Sequence, residues 1–417
     1  MKKIAFHNLG CKVNAYETNA MIRQFEEHGF EIVPFDEKAD IYVVNTCTVT
    51  SIADKKSRQM LHRAKRLNPD AAVVAVGCYV QADAQRALAD EAIDIVIGND
   101  LKHRAFELIT AGESGCVDIG SGRDYETLSA GTDESRVRAF VKIQDGCNQF
   151  CSYCLIPYVR GRIRSADREN VLRDVRELTA RGIKEIVLTG IHISSYGTEN
   201  GGEWGTPLLN LIKAVSEELP DGRVRLGSLE PRIVTPEFVA GLKSVPNLCP
   251  HFHLSLQSGC DETLRRMNRH YTAEEYAAAV ELLRSEFEHP AITTDVIVGF
   301  PGETDEEFET TRRFLEKINL YELHVFKYSV RQGTRAEKLP GRVDPTTAEK
   351  RSNILLELSA AGKAAFEKYY GGRRTVILAE EELSVRGERL LTGYNPEYVR
   401  FDIPAAGHKV GDFVEVF

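Results

Sequence analysis

The sequence predicts an α/β protein in three parts: an N-terminal parallel α/β sheet, a central partial (βα)6 barrel and a small C-terminal β-barrel. Three observations carry this prediction. Short β-branched runs alternate with helical patterns over residues 1–112, the alternation resumes for six units beyond a Gly-, Ser- and acid-rich stretch at 113–135, and after residue 370 it gives way to short strands separated by turn residues.

In the first part, "KIAFHNL" is followed by a helical pattern over 15–28, then "DIYVVNTC", a basic helix over 52–67, "AVVAVGC", another helix and "IDIVIG". Strands that alternate with helices pair in parallel. Residues 113–135 lack periodicity and read as a linker. The second part, 136–370, contains strands predicted at 138–143, 184–189, 223–229, 251–257, 292–299 and 321–328, with amphipathic helices such as "ENVLRDVRELTAR" and "TDEEFETTRRFLEKIN" between them. Six such units fall short of a closed eight-unit barrel. A helix over 346–370 leads to the third part, 371–417, whose turn-punctuated strands suggest a small barrel of the kind that often binds RNA.

A hydrophobic content of 42% with 28% charged residues is that of a soluble globular protein, and no apolar run is long enough to span a membrane. The opening "MKKIAFHNLGCKVN" turns polar too early for a secretory signal, so a cytoplasmic location is expected, where nine cysteines serve as metal ligands or free thiols rather than disulfides. The net charge of −9 does not by itself announce a nucleic-acid partner. Two local segments do carry clustered cations: "KKSRQMLHRAKR" (55–66) and "YVRGRIRSADR" (158–168). Each is also compatible with an ordinary solvated face.

The stretch "DGCNQFCSYCLIP" places Cys147, Cys151 and Cys154 just after the first barrel strand, at the mouth where such barrels keep their chemistry. No fourth Cys or His stands nearby to close a structural zinc site. Three thiolates hold a 4Fe-4S cluster by three corners and leave one iron open. The Cys-x3-Cys-x2-Cys spacing, with Tyr153 before the last cysteine, resembles the cluster loop of radical S-adenosylmethionine enzymes, whose open iron chelates the cofactor. That resemblance makes Tyr153, Glu230 and Gln257 candidates for cofactor contact. It places Thr189 and Gly190 where the family contacts the methionine moiety, although the usual Gly-Gly-Glu is absent. In "GFPGET", Gly299 and Gly302 either admit a ligand or serve the turn.

Cys11, Cys47 and Cys78 match no linear metal motif, yet each directly follows a predicted strand. A parallel sheet brings all three to its carboxyl edge, where α/β folds collect ligands, and a second three-thiolate cluster is expected there. Cys116, Cys249 and Cys260 belong to neither set and read as ordinary thiols.

With "LGCKVNAYET", "NTCTVT", "GCYVQ", "GCNQFCSYCLIPYVRGRIRS", "LSLQSG" and "GFPGET", the whole chain resembles the tRNA methylthiotransferases, which join an auxiliary-cluster domain, a radical barrel and a C-terminal TRAM domain. The resemblance implies two 4Fe-4S clusters, S-adenosylmethionine, an electron donor such as flavodoxin or ferredoxin, and a tRNA anticodon arm as partner. "CKVN" resembles the members that act on N(6)-threonylcarbamoyladenosine. The competing substrates within the family are isopentenyladenosine and a ribosomal protein. The rivals outside it are a radical methyltransferase and an RNA-binding iron-sulfur protein without radical chemistry. Arg160 and Arg162 are the sequence candidates for a cation near the substrate, either on a phosphate or on a carboxylate.

Overall fold

The computed structural model describes residues 1–120, 124–129, 131, 137–385 and 387–417. Its first sheet contains β1 (Lys3–Asn8), β2 (Glu31–Ile32), β3 (Ile41–Thr46), β4 (Ala72–Gly77) and β5 (Ile95–Ile97), all parallel in the order β2-β1-β3-β4-β5. Every residue of β3 is buried, which explains why its sequence is a continuous rather than an alternating apolar run. The first helix begins at Lys12, three residues earlier than the periodicity predicted, so Cys11 is its N-cap. Cys47 directly follows β3, and Cys78 opens the short helix Cys78–Ala82 directly after β4.

All six predicted barrel strands are present, as β6 (Arg138–Asp145), β8 (Glu185–Gly190), β9 (Arg223–Leu226), β10 (His251–His253), β11 (Ala291–Val298) and β12 (Glu322–Lys327). The sequence did not reveal β7 (Arg164–Ser165), a two-residue return strand antiparallel to β6. Two parallel sheets, β6-β8-β9 and β10-β11-β12, are joined by bridges from Val224 to Leu248 and from Leu229 to Leu254. The result is an open half barrel.

Strand residues alternate between the two faces of this sheet. Val141, Ile143, Ile186, Leu188, Val224 and Phe252 join the helices in the main apolar core, so they form the outer face. The inner face therefore receives Arg138, Lys142, Glu185, Arg225, His251, His253, Asp295 and His324. A closed barrel fills its interior with layers of branched apolar side chains. This one is polar inside, which suits a lumen that admits a polar ligand.

The C-terminal sheet, β13 (Thr375–Val385), β14 (Glu388–Tyr394), β15 (Arg400–Pro404) and β16 (Phe413–Val416), is a curled antiparallel unit in the order β15-β14-β13-β16. The turn after β14 closes the N-terminal end of the half barrel. Arg223 donates to the Tyr394 carbonyl (2.9 Å), Arg225 to the Pro396 carbonyl (2.8 Å) and Arg138 to the Tyr398 hydroxyl (2.8 Å). The same arginines surround Glu185, which is fully buried. A chain ending at Tyr370 is therefore expected to lose stability in the barrel itself, by about 3 kcal/mol or more from three hydrogen bonds to buried charged groups. A thermal melt of the truncated and full chains checks this, and equal midpoints would show that the unit is only an appendage.

The stretch 113–135, read as a linker, lies partly outside the described residues. In its described part Tyr125 donates to the Lys142 carbonyl (2.7 Å) and Leu128 is buried in the main core. No helix among the described residues is long and apolar enough to cross a membrane.

Candidate functional site

Cys147, Cys151 and Cys154 line one cavity of about 140 Å³ at the mouth of the half barrel. All three are free thiols. The loop that carries them is strained, with Phe150 at φ 49°, and Asn268 holds it by donating to the carbonyls of Gln149 (3.2 Å) and Phe150 (3.0 Å). Each sulfur also accepts a hydrogen bond: Cys147 from the Gln149 amide (3.4 Å), Cys154 from the Ile156 amide (3.4 Å) and Cys151 from Arg269 (3.2 Å). Donors aimed at sulfur tune an iron-sulfur cluster. Without iron, burial first and then the neighbouring Cys151 thiol keep Cys147 protonated, its pKa raised to about 11. A bound metal reverses that preference. Among the described residues no three His, Cys, Asp or Glu side chains are gathered as a single metal ion requires. The three thiols instead border a void, which fits a cluster.

Tyr153, Glu230 and Gln257 line the same cavity. Tyr153 packs edge-on against Phe300, with ring centroids 6.3 Å apart. Gln257 is held at φ 71°, outside the usual range of a residue with a side chain. Glu230 is already engaged on both oxygens by Arg232 (2.5 and 3.0 Å). Thr189 and Gly190 do not line the cavity; the next two residues, Ile191 and His192, do. His192 is lowered to a pKa of about 4 by burial and then by Arg269 and Arg232, so it faces the cavity as a neutral ring. In "GFPGET", Gly299 has φ +72° and an added Cβ would stand 2.9 Å from the Ala348 Cβ, so the glycine serves turn and packing.

Cys11, Cys47 and Cys78 follow β1, β3 and β4 at the carboxyl edge of the first sheet, near enough for their thiols to act on one another. The pKa of Cys47 is raised to about 12, by burial first and then by the nearby Cys78 and Cys11 thiols. Cys47 and Cys78 are buried, while Cys11 is exposed at the rim. Asn99 donates to the Cys78 sulfur (3.4 Å) and to the Val159 carbonyl (2.6 Å), tying this triad to the segment after the first. Gly10 lies at φ +103°, and an added Cβ would stand 2.8 Å from the Cys47 Cβ. Gly10→Ala is therefore expected to cost the reconstituted protein roughly half its iron, about four atoms per chain. Iron analysis checks this, and full occupancy would show that the turn tolerates the side chain.

Two family models match the chain, the Radical SAM superfamily over residues 141–315 and the Uncharacterized protein family UPF0004 over residues 3–98. The threonylcarbamoyladenosine tRNA methylthiotransferase MtaB of Bacillus subtilis is 38% identical over 100% of this chain and 93% of its own length. The protein of the same name from Aquifex aeolicus is 38% identical over 99% of both chains. The chain belongs to the tRNA methylthiotransferase family. Among solved structures, the radical S-adenosylmethionine methyltransferase TsrM of Kitasatospora setae aligns with a TM-score of 0.57 over 78% of this chain and 73% of its own, at 17% identity. That likeness concerns the fold alone.

In this methylthiotransferase Arg160 has a different place from the one its sequence suggested. It is 1% exposed, so it cannot meet RNA. Its guanidinium pairs with Glu17 (2.8 Å) and Asp145 (3.1 Å) and donates to the Asn14 Oδ1 (2.6 Å). Lys142 pairs with both carboxylates (2.8 and 2.6 Å), Lys102 pairs with Glu17, and Arg164 pairs with Asp100 (2.8 Å). Asn14 also donates to the carbonyls of Leu9 (2.8 Å) and Thr46 (3.0 Å), holding the loops of Cys11 and Cys47 together. The buried network thus joins the first helix to the barrel beside both triads. Arg162, by contrast, is exposed, with its guanidinium 4.5 Å from the Phe150 ring centroid. Sequence reasoning also missed Asn268, Arg269 and His192, which carry no motif signal because each acts from a segment far along the chain.

Proposed function

We propose that this chain adds a methylthio group to carbon 2 of N(6)-threonylcarbamoyladenosine at position 37 of tRNA. The observation that supports the reading is the pair of cysteine triplets on different sheets, whose surrounding segments are linked where Asn99 donates to the Cys78 sulfur and the Val159 carbonyl and Arg160 donates to Asn14. Family membership supports the two cofactor types, 4Fe-4S clusters and S-adenosylmethionine. Cys147, Cys151 and Cys154 would hold one cluster, and Cys11, Cys47 and Cys78 the other. When bound, these groups supply radical hydrogen abstraction together with the sulfur and methyl of the new substituent.

The chain's own residues do the rest. Arg269 and the Gln149 and Ile156 amides stabilise the first set of thiolates, while Tyr153, His192, Glu230 and Gln257 shape the cofactor cavity. On the helix Ser51–Leu67, Lys55, Lys56, Arg58 and Arg66 are exposed and have no ion-pair partner among the described residues. We assign the grip on the anticodon arm to this face rather than to Arg160. The working units are 1–112, 136–370 and 371–417, a flavodoxin- or ferredoxin-type donor supplies electrons, and a tRNA substrate places the enzyme in the cytoplasm.

The reading is tested with reconstituted enzyme and two tRNAs, one carrying the threonylcarbamoyl group and one the isopentenyl group. After digestion, mass spectrometry is expected to find the methylthio product only from the first. Product from only the second would overturn the substrate assignment.

A further inference from the structure

A cleft of about 510 Å³ opens between the N-terminal unit and the half barrel. Its walls include Thr48, Tyr79 and Leu155, the residues directly after Cys47, Cys78 and Cys154, so it adjoins segments of both cysteine triplets. Arg331, from the segment after β12, ties the two walls by donating to the Thr48 hydroxyl (2.5 Å) and pairing with Asp54 (2.8 Å). The cleft shares no lining residue with the cofactor cavity.

Tyr158 lines this cleft and is 49% exposed, and its ring meets the Phe150 ring edge-on at 5.9 Å. The Arg162 guanidinium stands 4.5 Å from the Phe150 centroid, and this exposed arginine has no ion-pair or hydrogen-bond partner among the described residues. Arg86, also exposed, lines the cleft from the N-terminal unit, and its guanidinium likewise has no ion-pair partner among the described residues. The acids of the cleft are committed, Asp54 to Arg331 and Asp83 to the Arg86 amide (3.0 Å). An open phenol ring with uncompensated guanidinium groups near it suits an unpaired nucleotide, whose base stacks while its phosphates meet the cations. The volume is that of a small-ligand pocket, roughly 300–1,000 Å³, whereas a protein partner needs a patch of about 800 Å².

We propose that Tyr158 is the stacking platform for the unpaired base next to the target adenosine, with Arg162 and Arg86 meeting the phosphates on either side of it. A carbon that both triplets serve has to lie between them, and the neighbouring nucleotide then falls at the cleft whose walls continue from both. This rests on the proposed tRNA reading and adds to it the contact that seats the loop. Stacking on one base and attraction to phosphates differ in what they respond to, since only the first disappears with the base.

The test uses the reconstituted holoenzyme and three threonylcarbamoyl-bearing anticodon stem-loops: one intact, one lacking the base on the 5' side of the target and one lacking it on the 3' side. Wild-type protein is expected to bind one of the two abasic loops about 10- to 100-fold more weakly than the intact loop. Tyr158→Ala is expected to weaken the intact loop by a similar factor and bring that ratio to near one, and Tyr158→Phe to retain most of it. A ratio between loops cancels any shared loss of cluster or fold. Arg162→Gln is expected to weaken all three loops alike and to lower the salt dependence of binding by about one unit of slope. Equal weakening of all three loops by Tyr158→Ala, an abasic penalty that persists in that variant, or no penalty in wild type would overturn the role of Tyr158. Unchanged loop binding in Tyr158→Ala, with turnover lost on flavodoxin but kept on dithionite, would overturn it in favour of a docking face for the electron donor. Failure of wild-type protein to bind the intact loop would instead overturn the tRNA reading on which it rests.

Discussion

Cys151→Ala is expected to abolish reductive cleavage of S-adenosylmethionine, whereas Cys47→Ala is expected to stop methylthiolation while 5'-deoxyadenosine still forms. The separation comes from the scaffold. Cys151 belongs to the loop after β6, where it accepts a hydrogen bond from Arg269 and lines the cavity shared with Tyr153, Glu230 and Gln257. Cys47 comes directly after β3 in the other sheet and has Cys11 and Cys78 as its thiol neighbours. Removing one thiolate from a three-point cluster leaves two anchors, too few to hold it. Each variant is therefore expected to bind about four irons in place of about eight after anaerobic reconstitution. Iron analysis and quantitation of 5'-deoxyadenosine check the two halves separately. Wild-type protein with only about four irons would overturn the two-cluster arrangement.

The strands, and the placement of both cysteine triplets just after strands, were legible because their signals are local: β-branched runs and helical periodicity. Topology did the rest, since parallel strands deliver their trailing loops to one edge. The features that were not legible depend on contacts between distant segments. Arg160 sits in an arginine-rich run and reads as a nucleic-acid contact, yet its partners Glu17 and Asn14 are more than a hundred residues away. Asn14, the last residue of "CKVN", carries no chemistry on its own; it clamps two cysteine loops and receives Arg160. The polar lumen was written in the alternation of β6, β8, β9 and β10, where Arg138, Glu185, Arg225 and His251 share one face. Reading it as a lumen required knowing which face the helices cover. The C-terminal sheet was recognisable as a unit, but not as the closure of the barrel, because a turn reaching Arg225 leaves no periodic trace.

Arg160→Met is expected to destabilise the fold by about 3–5 kcal/mol, the usual cost of removing one partner from a buried ion cluster. Glu17 and Asp145 would lose the side chain that binds both together with Asn14, although Lys142 still reaches the two carboxylates. Arg160→Lys is expected to recover only part of the loss, since a lysine keeps the charge but lacks the planar fork that serves three acceptors. The pH dependence gives a second, independent reading. Desolvation opposes ionisation of Glu17, but Arg160, Lys102 and Lys142 outweigh it and hold the group well below its ordinary range; Asp145 is held low against the same penalty by Lys142, Arg160 and Arg164. A carboxylate whose pKa is depressed by folding contributes stability that is complete above its unfolded pKa and is lost as pH falls through the folded one. Wild-type stability should therefore decline steeply once pH drops below about 4.5, the range in which unfolded Glu and Asp begin to take up protons. With Arg160 gone the folded pKa values rise toward the unfolded ones, and the acid limb becomes shallower even as the neutral-pH stability falls. Urea midpoints measured from pH 3 to 7 on the three proteins check both effects. An unchanged midpoint at neutral pH together with an unchanged acid slope would mean that the lysines alone sustain the two carboxylates, and that Arg160 does not bind the first helix to the barrel.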